Sequence, residues 1–147
     1  MTGRLKLRAT DAEDLAVISS HLQDAVVPLK DVGFFPEDRR FVLVAARFRW
    51  EEAGLEPPAP GRIYERVRCG VRFEDVGRVQ HRGLDRRQPG QILSLLAIEG
   101  GEGFIDLVFS AGAVIRLHVG RILCQAEDLG EPWPTQWRPA HPADGDG

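Results

Sequence analysis

The chain has 147 residues, 43% hydrophobic and 28% charged, the balance of an ordinary soluble globular protein and about the length of one domain. Its net charge of -3 disfavours a generic nucleic-acid or membrane-surface binder. Two cysteines are too few for a disulfide scaffold or a four-cysteine zinc site.

No apolar run follows Met1, so no signal peptide is expected. The longest apolar run near a candidate span, Phe41 to Ala46, is too short to cross a bilayer. Leu5 and Leu7 alternate with Lys6 and Arg8 as a short strand. Thr10 and Glu13 have the spacing of a capping box and predict a helix over about 11–24, with Leu15, Ile18 and Leu22 on its buried stripe. Val32 to Phe35 reads as a strand, Pro36-Glu37-Asp38 as a turn, and Arg40 to Trp50 as a returning strand. The even positions of that strand, Val42 to Trp50, are all apolar and are expected to be buried throughout. The odd face starts apolar at Phe41, Leu43 and Ala45, a seat for the helix, and ends in Arg47 and Arg49.

Glu52 to Gly61 is a proline-stiffened loop, too short to separate domains. Arg62 to Glu74 alternates cleanly. Ile63, Val67, Cys69, Val71 and Phe73 are expected inside, and Arg62, Tyr64, Arg66, Arg68 and Arg72 outside. A bulge is expected near Asp75 to Gly77, then a strand to His81. Ile92 to Ile98 is apolar on both faces except Ser94 and predicts a strand covered on both sides. Phe104 to Phe109 and Ala113 to Val119 form a hairpin around Ser110-Ala111-Gly112. Its three-residue loop places Leu107 opposite Ile115, Ile105 opposite Leu117 and Asp106 opposite Arg116. The inward phase switches at Gly120-Arg121, which predicts a second bulge. Prolines 132, 134 and 139 are expected to keep the rest out of the ladder, as an extended tail ending in disorder.

Together these predict an α+β fold, a single domain over 1–130 with a tail over 131–147. It is mainly an antiparallel, strongly curled sheet or partly closed barrel of about seven to eight strands, with one N-terminal helix.

No catalytic constellation emerges. His21, His81, His118 and His141 have no second ligand at metal spacing, and no metal site or cofactor is expected. His21, within a turn of Asp24, would be the base of any enzyme, but without a nucleophile it reads as a helix-border histidine. Cys69 and Cys124 read as small buried hydrophobes. The serines lack a nucleophile elbow, and Gly100, Gly101 and Gly103 lack the lysine and helix of a phosphate loop. Glu51-Glu52 and Glu74-Asp75 read as solvated turn residues.

Two features remain. Arg47, Arg49, Arg62, Tyr64, Arg66, Arg68 and Arg72 would share one outer face if their strands pair as a hairpin. That face is a candidate anion or nucleic-acid site, weighed against an ordinary solvated sheet face. Seventeen arginines against two lysines match the codon bias of a GC-rich genome and are no evidence of a ligand. Trp133 and Trp137 are expected to dock, Trp133 largely buried.

The opening 5–25, Arg39-Arg40-Phe41 with Arg47-Phe48-Arg49-Trp50-Glu51, the run Ile92 to Ile98 and the close Asp128-Leu129-Gly130-Glu131-Pro132-Trp133 carry a resemblance. Over nearly its whole length the chain resembles a family of short alphaproteobacterial proteins catalogued only as a domain of unknown function, DUF2948. The resemblance implies a bacterial cytoplasmic protein and transfers no active-site residue. The functional expectation is a non-catalytic binding or accessory domain whose partner is another protein or a second copy, without a membrane. The alternatives are an anion binder through the arginine face and an enzyme centred on His21.

Overall fold

The computed structural model describes residues 4–53, 63–85, 87–88 and 90–135. The first elements are strand β1 (Lys6–Ala9) and helix α1 (Ala12–His21). Asp11 takes the N-cap position, accepting from the Asp14 amide at 2.7 Å, and the Asp14 carboxylate accepts from the Thr10 amide at 3.2 Å. The capping pair is therefore Asp11 and Asp14 in place of Thr10 and Glu13, because aspartate caps at least as well as threonine. The helix stops short of Asp24, which has a left-handed φ of 62° and bonds the Leu95 carbonyl at 2.7 Å as the chain turns into β2 (Ala25–Pro28).

The next strands are β3 (Val32–Phe35), β4 (Arg40–Phe48) and, after one helical turn α2 (Trp50–Ala53), β5 (Tyr64–Phe73). Then come β6 (Val76–Arg82), β7 (Ile92–Gly101), β8 (Phe104–Phe109), β9 (Val114–Val119) and β10 (Cys124–Thr135). Among the described residues these ten strands form one sheet in the order β1-β10-β5-β4-β2-β7-β8-β9-β6, with β3 also on β4, and all of its pairings are antiparallel. That exceeds the seven to eight strands expected. β2 is too short for periodicity to reveal and ends in a proline. β10 is a separate strand rather than β9 continued past a bulge, since β9 pairs with β8 and β6 while β10 pairs with β5 and β1.

β4 divides its second edge, with Val26 of β2 opposite Ala46 and β3 opposite Arg40 to Leu43. Among the described residues β3 pairs with β4 alone and β6 with β9 alone, so the sheet curls without closing. Helix α1 packs chiefly on β7 and β1, not on β4. Leu15, Ile18 and Leu22 enter one core with Leu43, Cys69, Leu95, Leu107 and Leu117. The close approach depends on Gly100, where a Cβ would lie 3.0 Å from Ile122 Cδ1 and 3.1 Å from Leu15 Cδ2.

Four expectations are corrected. In β4 the odd positions Phe41, Leu43, Ala45 and Arg47 face the core, while Val42, Val44 and Ala46 are half-buried. Both faces are apolar at the start of this strand. The choice follows from pairing with β5, whose core face carries Val67, Cys69, Val71 and Phe73. β7 is covered on one face only. Leu93 and Leu95 face the core while Leu96 is exposed and Ile92 is 65% exposed, and a register shift between Leu95 and Ala97 moves the inward phase to Ile98. β10 continues to Thr135, pairing Trp133 with Arg66 and Pro134 with Glu65 after a register shift beyond Leu129. β1 reaches only to Glu127, so the prolines sit on an edge where no second ladder needs their missing N–H. Ile63, expected inside, is 62% exposed.

The bulge near Gly77 is present as a register shift between Val76 and Arg78. The β8–β9 hairpin has the expected register, Leu107 opposite Ile115, Ile105 opposite Leu117 and Asp106 opposite Arg116, with Gly112 at φ 78°. Arg116 completes it with paired bonds to Asp106 at 2.7 and 2.8 Å. Gly112→Val should therefore cost about 1–2 kcal/mol, the penalty of a β-branched residue in the left-handed region. Gly90→Val, with nothing within 4 Å of its Cβ, should shift the thermal midpoint little. Differential scanning calorimetry of the two variants checks the contrast.

Candidate functional site

The arginines of the expected outer face divide between two sides of the sheet. Arg47, on the core face of β4, is 0% exposed. Its Nε and Nη2 donate to the two Asp128 oxygens at 2.8 Å each, and its Nη1 and Nη2 to Glu51 at 3.0 and 2.8 Å. Asp128 Oδ2 also accepts from the Leu5 amide at 2.9 Å. Burial works against the Arg47 charge, but the bonds to Asp128 and Glu51 prevail and raise its pKa. For Glu51, burial favours the neutral acid, yet the bonds from Arg47 hold the carboxyl below its ordinary value. A sequence signal existed for this pair. Arg47 continues the inward phase of Phe41, Leu43 and Ala45, and Asp128 that of Cys124 and Ala126, so two opposite charges occupy core positions.

Arg49 is also buried and ion-paired with Glu65, and its amide bonds the Glu65 carbonyl at 2.9 Å. Arg66 is 7% exposed. It donates to the Ala46 carbonyl at 3.0 Å and lies 5.7 Å from the Phe48 ring centroid. Tyr64 is buried at 5% exposure in a small aromatic cluster, its ring 5.5 Å from that of Phe48, which meets Trp50 at 4.7 Å. Trp50 is anchored by its indole N–H on the Gln23 carbonyl at 3.1 Å. Arg72 pairs with Glu74 at 2.8 Å and bonds Gln125. Arg68 is exposed, and among the described residues no carboxylate lies within ion-pair reach of it. Arg62 and Trp137 lie outside the described residues. Trp133, expected to be largely buried, is 38% exposed.

The outer face is therefore mixed rather than basic. Val26, Ala46, Arg68 and Leu129 lie opposite one another across β2, β4, β5 and β10. Val44, Gly70 and Glu127 form the next row across β4, β5 and β10. Leu129, 41% exposed, leans over Gly70, where a Cβ would meet its Cδ1 at 3.2 Å. Beside it Val42, Val44, Arg72, Gln125 and Glu127 line a groove of about 240 Å³.

The other chemistry-bearing residues sit apart from it. His21 Nδ1 lies 3.2 Å from the Val17 carbonyl, and burial, then Arg47, lowers its pKa. His81 lines a separate cleft, His118 bonds Gln80 at 2.7 Å, and His141 lies outside the described residues. Cys69 and Cys124 are buried free thiols, each pushed up to about 12 chiefly by burial. Glu74 and Asp75 are half-buried rather than solvated, and Glu51, Glu74 and Asp75 hold Arg47, Arg40 with Arg72, and Arg39. Among the described residues no cluster of metal-ligating side chains occurs and no helix is long and apolar enough to cross a membrane.

These features define a class: an α+β domain on an open antiparallel sheet, with an ion-paired arginine in its core and a mixed apolar and basic outer face. The chain belongs to the family of proteins of unknown function DUF2948, whose model matches residues 5–141. No curated protein and no solved structure is significantly similar to it.

Asp128→Ala should destabilise the protein by about 3 kcal/mol, the low end for breaking a buried ion pair, because it removes the carboxylate from Arg47 Nε and leaves Glu51 to hold the charge. Urea denaturation measures it. Acid acts in the same direction. The folded pKa of Glu51 is depressed, so its contribution is present above its unfolded value near 4.5 and is lost as pH falls through the lower folded value. His21, also depressed, resists protonation in the fold and adds a loss that begins as pH drops below 6.5. Melting midpoints against pH should fall less steeply between pH 5 and 3 in Glu51→Gln than in the unmodified protein.

Proposed function

We propose that the chain is a small non-catalytic binding domain that acts through protein contacts in the bacterial cytoplasm, with the outer face of β2, β4, β5 and β10 as its docking surface. The observation that carries the reading is the outward apolar strip of half-buried Val26, Val44 and Ala46 with the exposed Leu129, bordered by Arg68 and Arg72. Exposed apolar area on a monomer's sheet face marks an interaction site, and arginine is the charged residue that interfaces favour. Ile92, 65% exposed on β7, extends the strip past β2. The partner fitting this face presents apolar side chains with a carboxylate opposite Arg68. Two buried free thiols suit a reducing compartment.

The polyanion reading has less support. Such a face requires arginines free of internal partners, whereas Arg47, Arg49 and Arg72 have carboxylate partners. The test is affinity capture from the native cell with nuclease treatment, repeated with Leu129→Glu combined with Arg68→Glu. Both side chains are exposed, so the double variant should melt within about 0.5 kcal/mol of the unmodified protein. A partner that survives nuclease and is lost in the double variant supports the reading. Capture that disappears on nuclease treatment, or that the variant leaves unchanged, overturns it.

A further inference from the structure

The gap in the sheet forms a second concave surface. Between the single-sided edges of β3 and β6 lies a cleft of about 510 Å³, within the size range of small-molecule sites. Its floor is Phe41 and Ile115, only 2% and 3% exposed, so the cleft opens directly onto the core. Its walls are the half-buried Leu29, Val32, Phe34, Val79 and Leu84. The charged and titratable lining groups are Lys30 and His81, both at the exposed rim. Among the described residues Lys30 has no carboxylate within ion-pair reach. An apolar slot with an unpaired ammonium at its rim is complementary to an apolar body ending in a negative head.

An inserted β-strand is the competing occupant. It would need roughly 9.5 Å between the two edges along their length, twice the spacing of neighbouring strands. One end of the gap is shut. The Val76 amide bonds the Arg39 carbonyl at 2.9 Å, and Arg39 pairs with Asp75 at 3.1 Å. The cleft is therefore stopped at one end.

We propose that this cleft binds a small amphiphile with an aliphatic body and one carboxylate head, the body lying on Phe41 and Ile115 and the head at Lys30. The site is independent of the outer face. The probe is dodecanoate below its micellar concentration, titrated calorimetrically into the full chain. One molecule should bind per chain and raise the melting midpoint. Lys30→Glu should weaken binding about tenfold, the sum of an attraction lost and a repulsion gained. Val79→Trp should abolish it by filling the slot. Leu84→Trp, in the loop after β6, blocks the same space without altering a strand and serves if the first variant does not fold. Leu129→Glu with Arg68→Glu should bind dodecanoate as the unmodified protein does, which separates this site from the docking surface. The proposal is overturned if dodecanoate does not bind, if dodecyltrimethylammonium binds as tightly, or if both tryptophan variants that fold keep full affinity.

Discussion

A fully buried guanidinium has to be met by carboxylates in the right geometry, and that requirement at Arg47 organises one end of this fold. Asp128 comes from a strand 81 residues away in sequence, Glu51 from the helical turn after β4, and Leu5 joins through its amide. The cluster thus ties β4, α2, β10 and the N-terminal segment together. A buried ion pair adds little net stability over an apolar replacement, but it penalises every arrangement that leaves one member unmatched. A slip of β10 by one residue would carry Asp128 to the opposite face of the sheet and leave the Arg47 charge without it. The pair favours the native register, which the core of Cys69, Val71 and Ala126 shares.

The incompleteness of the sheet has two consequences. Because β3 and β6 do not meet, the core is covered at that place only by half-buried side chains, and a cleft remains. Because β4 carries apolar side chains on both faces and β10 adds Leu129 outside, the inner face builds the core while the outer one stays partly apolar against solvent. Antiparallel sheets with one wet face normally alternate apolar and polar residues. The departure at Val42, Val44, Ala46 and Leu129 motivates the docking surface. The arginines take three different roles across this sheet: Arg47 inside it, Arg66 stacked by Phe48, and Arg68 in water.

Local pattern sufficed for the α+β class, for α1 and its buried stripe, for the β3–β4 and β8–β9 hairpins, and for the inward residues of β5 from Val67 onward. These are short-range facts, set by side-chain period and turn chemistry within about a dozen residues. Pattern could not orient β4, where both faces are apolar, nor divide seven arginine-face candidates between core and solvent. It also missed β2 and the last third of β10. Each of these depends on which strands become neighbours. The N-terminal half of β4 takes its phase from β5, Arg47 is kept inside by Asp128, and the prolines of β10 are tolerated because β1 ends before them. Pairing partners far apart along the chain are selected by the free energy of the whole sheet, and no local window contains that information.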